Sequence, residues 1–271
     1  MMRNFTRFLS LVFVSALLMS QFAYGQLSGT YTIGSAGNYT TFSAAVSALN
    51  SGGVSGPVVF NVAAQTFSEK IILTPVSGAS LTNTISFIGA GNTQTTLTYS
   101  GSSTSNWSTV QFDGADYFVF KDMKVQNTGS SYANCFFFTN NSRYNTIHNC
   151  YINVGKGSAS YRIPIIASGS KTSYSTSGNN AWYNTISENT IYGGYYGIRM
   201  YGGGSSSPNL GNNFLDNLIT DQYYYPMYIY YNDEMHVQRN TIRNITSTGG
   251  YGIMLYYGTS DTVTHNDIQT Q

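Results

Sequence analysis

Apolar and polar residues follow a six-residue figure that returns along the second half of the chain. It reads FKDMKV from Phe120, IHNCYI from Ile147, ISENTI from Ile186, FLDNLI from Phe214, VQRNTI from Val237 and VTHNDI from Val263. Five steps cover 263 − 120 = 143 residues, about 29 each, and polar runs such as SGSKTSYSTSGNN and GGGSSSP stretch two of them. A second set of runs, FFFT, IIAS, IRMY, MYIY and IMLY, precedes the figures with strict in-out alternation, the signature of strands. Phe137, Met227 and Ile253 each lie ten residues before Ile147, Val237 and Val263, and Gly197, Pro226 and Gly252 supply turns. Nearer the N-terminus, YTTFSAAVSALN puts Phe42, Ala45, Val46 and Leu49 on one helical face, with Thr41 or Ser43 as cap. PVVFNV, EKIIL, NTISFIGAG and TTLTY then read as strands.

Self-similarity at a period of twenty to fifty residues marks a stacked array. Short β-branched strands separated by Asn and Gly turns, with no intervening helices, predict parallel coils stacked about 4.8 Å apart, an all-β solenoid of parallel β-helix type. The expected division is residues 26–110 for an N-terminal cap and first coils and residues 111–271 for the repeating coils. The short helix would lie over the open first coil and shield its edges. At the corner of each figure the chain must turn, and an asparagine in left-handed backbone suits that place. Asn189, Asn217, Asn240 and Asn266 are expected to stack there, each amide donating to the next carbonyl. Met123 and Cys150 occupy the position earlier, so the ladder should begin at Asn189.

Composition adds the setting. Arg3 and Arg7, then FLSLVFVSALLMS, then the small residues Ala23 and Gly25 have the layout of a cleaved secretory signal over residues 1–25. No cysteine follows the apolar run, so no lipid anchor is expected there, nor a membrane span after cleavage. Charged residues are 8% of the chain and the net charge is +1, which removes any basic field for nucleic acid. Cys135 and Cys150 are the two cysteines; they are read as small buried residues, with a disulfide as the alternative. The expectation is a secreted or surface-exposed monomer. The sequence stops three residues after Ile268, inside what should be a further coil, so a chain truncated at its C-terminus is expected.

The segments NYTTFSAAVSALNSGG, VVFNVAAQTFSEKIIL and ISFIGAGNTQTTLT, followed by the N-x-I coils, resemble secreted right-handed parallel β-helix proteins of pectate-lyase-like architecture. The opening is also similar to the N-terminal part of large bacterial surface proteins. The resemblance implies the fold across the mature chain; lyases, hydrolases, esterases and adhesins all use it, so it does not fix an activity.

Two chemistries remain open. A lyase would need clustered carboxylates for Ca²⁺ with a Lys or Arg base, and a glycosidase two or three facing carboxylates. The charged column Asp122, Asn149, Glu188, Asp216, Arg239 and His265 reads as a solvated ladder. Asp233, Glu234 and His236, or Asp113 and Asp116, read as loop and turn residues. No metal or other cofactor is expected, Ca²⁺ being left open without residues to support it, and no catalytic residue is assigned. Tyr201, Tyr230 and Tyr256 should point outward on successive coils, with Arg199 and Tyr228 on the same face. Such a strip can contact sugar rings, or the tyrosines can stack on each other to stabilise the sheet. Tyr196, Tyr225 and Tyr251 are read as structural, turned inward or into the bend. The favoured reading is a non-catalytic adhesion, glycan-contact or structural segment; the alternative is a polysaccharide lyase or glycoside hydrolase.

Overall fold

The computed structural model describes residues 25–269. The expected signal, residues 1–25, lies outside them except for Gly25. Three long sheets, all of parallel pairs, wind around one apolar core. The first sheet has nine strands, from Leu27–Ile33 and Val54–Val62 to Thr262–Thr264. The second runs from Ile71–Leu73 to Ile253–Tyr256, and the third from Thr66–Ser68 to Asp267–Gln269. From Val54–Val62 to Ile253–Tyr256 each coil contributes one strand to each sheet, so chain neighbours there lie on different sheets and sheet neighbours are one coil apart.

The six figures lie in register. Phe120 pairs with Ile147, Ile147 with Ile186, Ile186 with Phe214, Phe214 with Val237, and Val237 with Val263. All but Val263 are at most 1% exposed. In the second sheet Phe136, Ile165, Ile198, Met227 and Ile253 form the matching inward row. Phe137 therefore does not share the row of Met227, as the ten-residue offset had it. It faces outward, where Trp107, Ile163 and Ile166 form a second small apolar cluster with it. Inside, phenylalanines stack from coil to coil: Phe60 on Phe87 at 5.0 Å, Phe87 on Phe120 at 5.1 Å and Phe112 on Phe138 at 4.6 Å. Burying each such side chain contributes about 1.5–3 kcal/mol, which suits a chain with few charges to anchor it.

The helix Phe42–Gly52 buries Phe42, Ala45, Val46 and Leu49, and Phe42 sits edge-on to Phe67 at 5.1 Å. Thr41 is its cap, the hydroxyl accepting from the Ala44 amide at 3.0 Å. Glu69, from the next turn of the solenoid, accepts from the Phe42 and Ser43 amides at 3.0 and 2.9 Å, placing a carboxylate on the positive end of the helix.

Asn189 donates to Asn217 at 3.0 Å, Asn217 to Asn240 at 2.9 Å and Asn240 to Asn266 at 3.0 Å. Each Nδ2 also reaches a strand carbonyl in an earlier coil: Ile147, Ile186, Phe214 and Val237 in turn. Each Oδ1 also accepts a main-chain amide, beginning with that of Cys150. These asparagines are not the left-handed residues. The preceding position is: Asp122, Asn149, Glu188, Asp216, Arg239 and His265 have φ between 48 and 58°. The bend and the inward hydrogen bonds are thus divided between two neighbours. The left-handed residue throws its own side chain into solvent, so many residue types are accepted at a backbone cost of roughly 1–2 kcal/mol.

A second ladder stands at another corner. Asn145 donates to Asn184 at 3.0 Å and Asn184 to Asn212 at 3.2 Å, each preceded by a left-handed residue, Tyr144, Tyr183 and Gly211. The sequence carries its signal, an asparagine two residues before the first apolar position of the figures NTIHNC, NTISEN and NNFLDN. Cys135 and Cys150 are buried free thiols in this arrangement, not a disulfide.

Candidate functional site

The outer face of the second sheet changes character along the solenoid. Over its earlier strands residues 168–180 fold back: the Trp107 indole donates to the Lys171 carbonyl at 3.0 Å, and Lys171 pairs with Asp113 at 2.5 Å. Past that cover the face is tyrosine. Tyr201 pairs with Tyr230 and Tyr230 with Tyr256 in register, Tyr228 lying one column away beside Arg199. Alternation along Tyr196–Tyr201 and Tyr225–Tyr230 puts Ile198, Met200, Met227 and Ile229 in the core and leaves Arg199, Tyr201, Tyr228 and Tyr230 outside.

The rings stack on each other. Tyr201 and Tyr230 are stacked, 4.8 Å apart and 16° from parallel, whereas Tyr230 and Tyr256 are 5.4 Å apart and tilted by 47°. Tyr228 and Tyr230 lie side by side at 6.4 Å with planes 1° apart. Stacking along the solenoid turns ring faces toward one another, leaving edges and hydroxyls to meet a ligand. Partial burial pushes the Tyr230 phenol up to about 12, with Tyr257, Tyr231 and Tyr201 acting in the same direction. The Tyr230 hydroxyl is therefore a donor as well as an acceptor at neutral pH.

Arg199 is on this side of the sheet but not open to solvent: it is 5% exposed. Its guanidinium lies 4.6 Å from the centres of Tyr196 and Tyr228, 4.8 Å from Tyr174 and 5.7 Å from Tyr201. Nε donates to the Tyr174 carbonyl at 2.9 Å. Arginine with this many rings is held by cation–π attraction, and it fastens the covering loop to the sheet. Alternation alone placed Arg199 in the open because it cannot foresee a loop returning from 25 residues upstream. Tyr196, Tyr225 and Tyr251 stack at 5.8 and 5.9 Å and are half-buried or exposed, so they too belong to the outer surface rather than the interior.

The charged column is paired. Arg239 grips Asp216 through Nε at 2.7 Å and through its Nη2 at 2.8 Å, and this holds the Asp216 carboxyl below the usual range. Asn149 donates to Asp122 at 2.6 Å. Beside them His148 Nδ1 is 3.0 Å from Ser187 Oγ and its Nε2 is 3.9 Å from Glu188, a hydroxyl, imidazole and carboxylate in sequence on an exposed sheet face. Adjacent coils bring these three together, and the figure IHNCYI above ISENTI carries the signal once the register is known.

Asp233 accepts from the Thr259 amide and Asp261 from the Met235 amide, so Asp233, Glu234 and His236 stand beside a turn rather than around a shared centre. Asp116 accepts from the Arg143 amide at 2.9 Å and Asp113 from Asn140 at 2.5 Å. Among the described residues no three His, Cys, Asp or Glu side chains converge as metal ligands. Also among them, no helix is long and apolar enough to cross a membrane.

The family described as "Right handed beta helix region" matches residues 175–271. No curated protein sequence matches the chain. A penultimately deglycosylated pectin methylesterase from Aspergillus niger superposes with a TM-score of 0.52 at 17% identity, covering 89% of this chain and 87% of that one. Pectin methylesterase from carrot gives 0.49 at 16% identity, covering 91% and 90%. An alginate lyase from Paenibacillus gives 0.39 at 12%, covering 88% and 99%. The chain is a right-handed parallel β-helix of pectate-lyase-like type. At these identities the likeness concerns the fold and not the chemistry.

Proposed function

We infer that this chain is a secreted or cell-surface β-helix that contacts an extracellular polysaccharide through its tyrosine face, without catalysing a reaction on it. The observation that carries this reading is the register of Tyr201, Tyr230 and Tyr256, with Tyr228 alongside. Hydroxyls repeat along the solenoid at about the 4.8 Å spacing of parallel strands, comparable to one sugar ring of an extended chain. Tyrosines preset by stacking lose little freedom when they bind, and their edges and hydroxyls suit sugar C–H and O–H groups. Arg199 keeps the rings of Tyr196, Tyr228 and Tyr201 in place and sets the edge of the strip.

The second reading, a lyase or hydrolase, draws on Ser187, His148 and Glu188. That arrangement sits on an unbroken parallel sheet, and oxyanion stabilisation there would require donors that the strand ladder already uses. A glycan array on the secreted chain separates the two, run beside reducing-end and unsaturated-uronate assays on pectin-type polymers. Binding without turnover is the expected result. Turnover abolished by Ser187→Ala or His148→Ala would replace this reading with the enzymatic one, and silence in both assays would leave a structural spacer.

A further inference from the structure

The charges around the tyrosine face are closed against solvent, and that bears on which sugar polymer it takes. In the second sheet Arg199 stands between Ile166 one coil before and Tyr228 one coil after. Its guanidinium lies 4.6 Å from the ring centres of both Tyr196 and Tyr228, with Tyr174 at 4.8 Å above the covering-loop side. Its Nε is committed to the Tyr174 carbonyl, and the whole residue is 5% exposed. The flanking charges are closed in pairs. In the covering loop Lys171 holds Asp113 at 2.5 Å, and on the turn leading into Tyr225–Tyr230 Asp221 holds Lys156 at 2.6 Å.

A carboxylate laid on these rings would give up water while the guanidinium beneath stays shut behind them. An ester, a hydroxyl or an amide on the same sugar loses far less on leaving water. The phenols nearest Arg199 show which effect wins. Arg199 favours their anionic form, yet burial outweighs it: the Tyr196 phenol is pushed up to about 12 and that of Tyr228 is raised. A carboxylate placed beside them meets the same surroundings.

Resting on the glycan contact inferred above, we propose that the tyrosine face takes uncharged polysaccharide, including uronans whose carboxyl groups are esterified, and turns away free polyuronate of the same backbone. Tyr201 and Tyr228 to Tyr230 form the selecting surface, and the enclosed Arg199 keeps its rings in place without offering its charge.

The test uses polymers matched in everything but charge: methyl-esterified polygalacturonan against the same material de-esterified in cold alkali, and hydroxyethylcellulose against carboxymethylcellulose. Titration calorimetry of the chain against each gives the affinities. The uncharged member of at least one pair should bind about tenfold or more tightly than its anionic counterpart, with a ratio that is the same at low and at high salt. Equal or tighter binding of the anionic members, weakening as salt rises, would overturn the proposal and leave the glycan contact standing. Silence toward all four polymers would remove both.

Tyr230→Lys places a free ammonium next to Tyr201 and Tyr228, whose rings lie 4.8 and 6.4 Å from that of Tyr230. In this variant the gap between uncharged and anionic polymer should narrow at low salt and reopen at high salt. A circular dichroism melt verifies that the variant is folded. A ratio unchanged in the folded variant would mean that the selection is made elsewhere on the chain and would refute its assignment to this face.

Discussion

Replacing Asn217 by leucine, a side chain of nearly the same size, tests the asparagine spine where it is most enclosed. The wild-type amide donates to Ile186 O at 2.8 Å and Asn240 Oδ1 at 2.9 Å, and accepts from the Asn189 main-chain and side-chain nitrogens, both at 3.0 Å. Asn240 Oδ1 keeps a donor, the Asn217 main-chain amide at 3.0 Å. The substitution therefore leaves two donors without partners, the Asn189 amide N–H and one Asn189 Nδ2 hydrogen, while the Ile186 carbonyl keeps its place in the strand ladder. Asn189 and Asn217 are each 1% exposed, so water cannot take over. At about 1–3 kcal/mol for each orphaned group, and allowing for relaxation, the loss should be roughly 2–5 kcal/mol. Urea unfolding followed by tyrosine fluorescence and far-ultraviolet circular dichroism gives the comparison, with amide exchange reporting the coils one by one. Asn217→Asp adds a sign test. A carboxyl buried in the column has its folded pKa raised above the unfolded value, so its stability is present in acid and lost as pH rises through the folded pKa. That variant should lie nearer to wild type at pH 4 than at pH 7. A cost below about 1 kcal/mol for Asn217→Leu would refute the reasoning.

Gly211 has φ of +63°, and a Cβ there would lie 2.3 Å from Tyr183 Cδ1; Gly211→Ala should cost about 1–3 kcal/mol and displace that ring, seen as a lower melting midpoint and an altered Tyr183 resonance. The Asp261 carboxyl is raised, by burial first and by Asp233 second. The wild type therefore loses stability as pH rises through that folded pKa, and Asp261→Asn should raise the melting midpoint at pH 7 by an amount that disappears in acid. Burial pushes both cysteine thiols up to about 12, so neither should react with Ellman's reagent in the native protein and both should react in urea; native labelling would contradict their placement in the core.

The repeat was legible because its chemistry is local. Phe120, Ile147, Ile186, Phe214, Val237 and Val263 need only alternation and a period to be aligned, and the apolar face of Phe42–Gly52 needs only helical spacing. The left-handed position was misplaced by one, since Asn tolerates that backbone and nothing local shows that Glu188, Asp216 and Arg239 adopt it instead. The Asn145–Asn184–Asn212 ladder was present in NTIHNC, NTISEN and NNFLDN but requires knowing that the figure has two corners. What stayed hidden depends on partners distant along the chain. Arg199 is covered by Tyr174, and Phe137 faces Trp107, because loops of unequal length return to the sheet. Ser187 and His148 meet because one coil here spans 39 residues. Their approach cannot be counted from an average period.

Affinity electrophoresis of the secreted chain through gels containing polysaccharides such as pectin addresses the proposed role of the tyrosine face most directly. Retardation by at least one polymer is predicted, lost in the Tyr201→Ala/Tyr230→Ala variant and retained in Asp216→Ala/Arg239→Ala. Equal retardation of both variants, or loss confined to the charged pair, would contradict it.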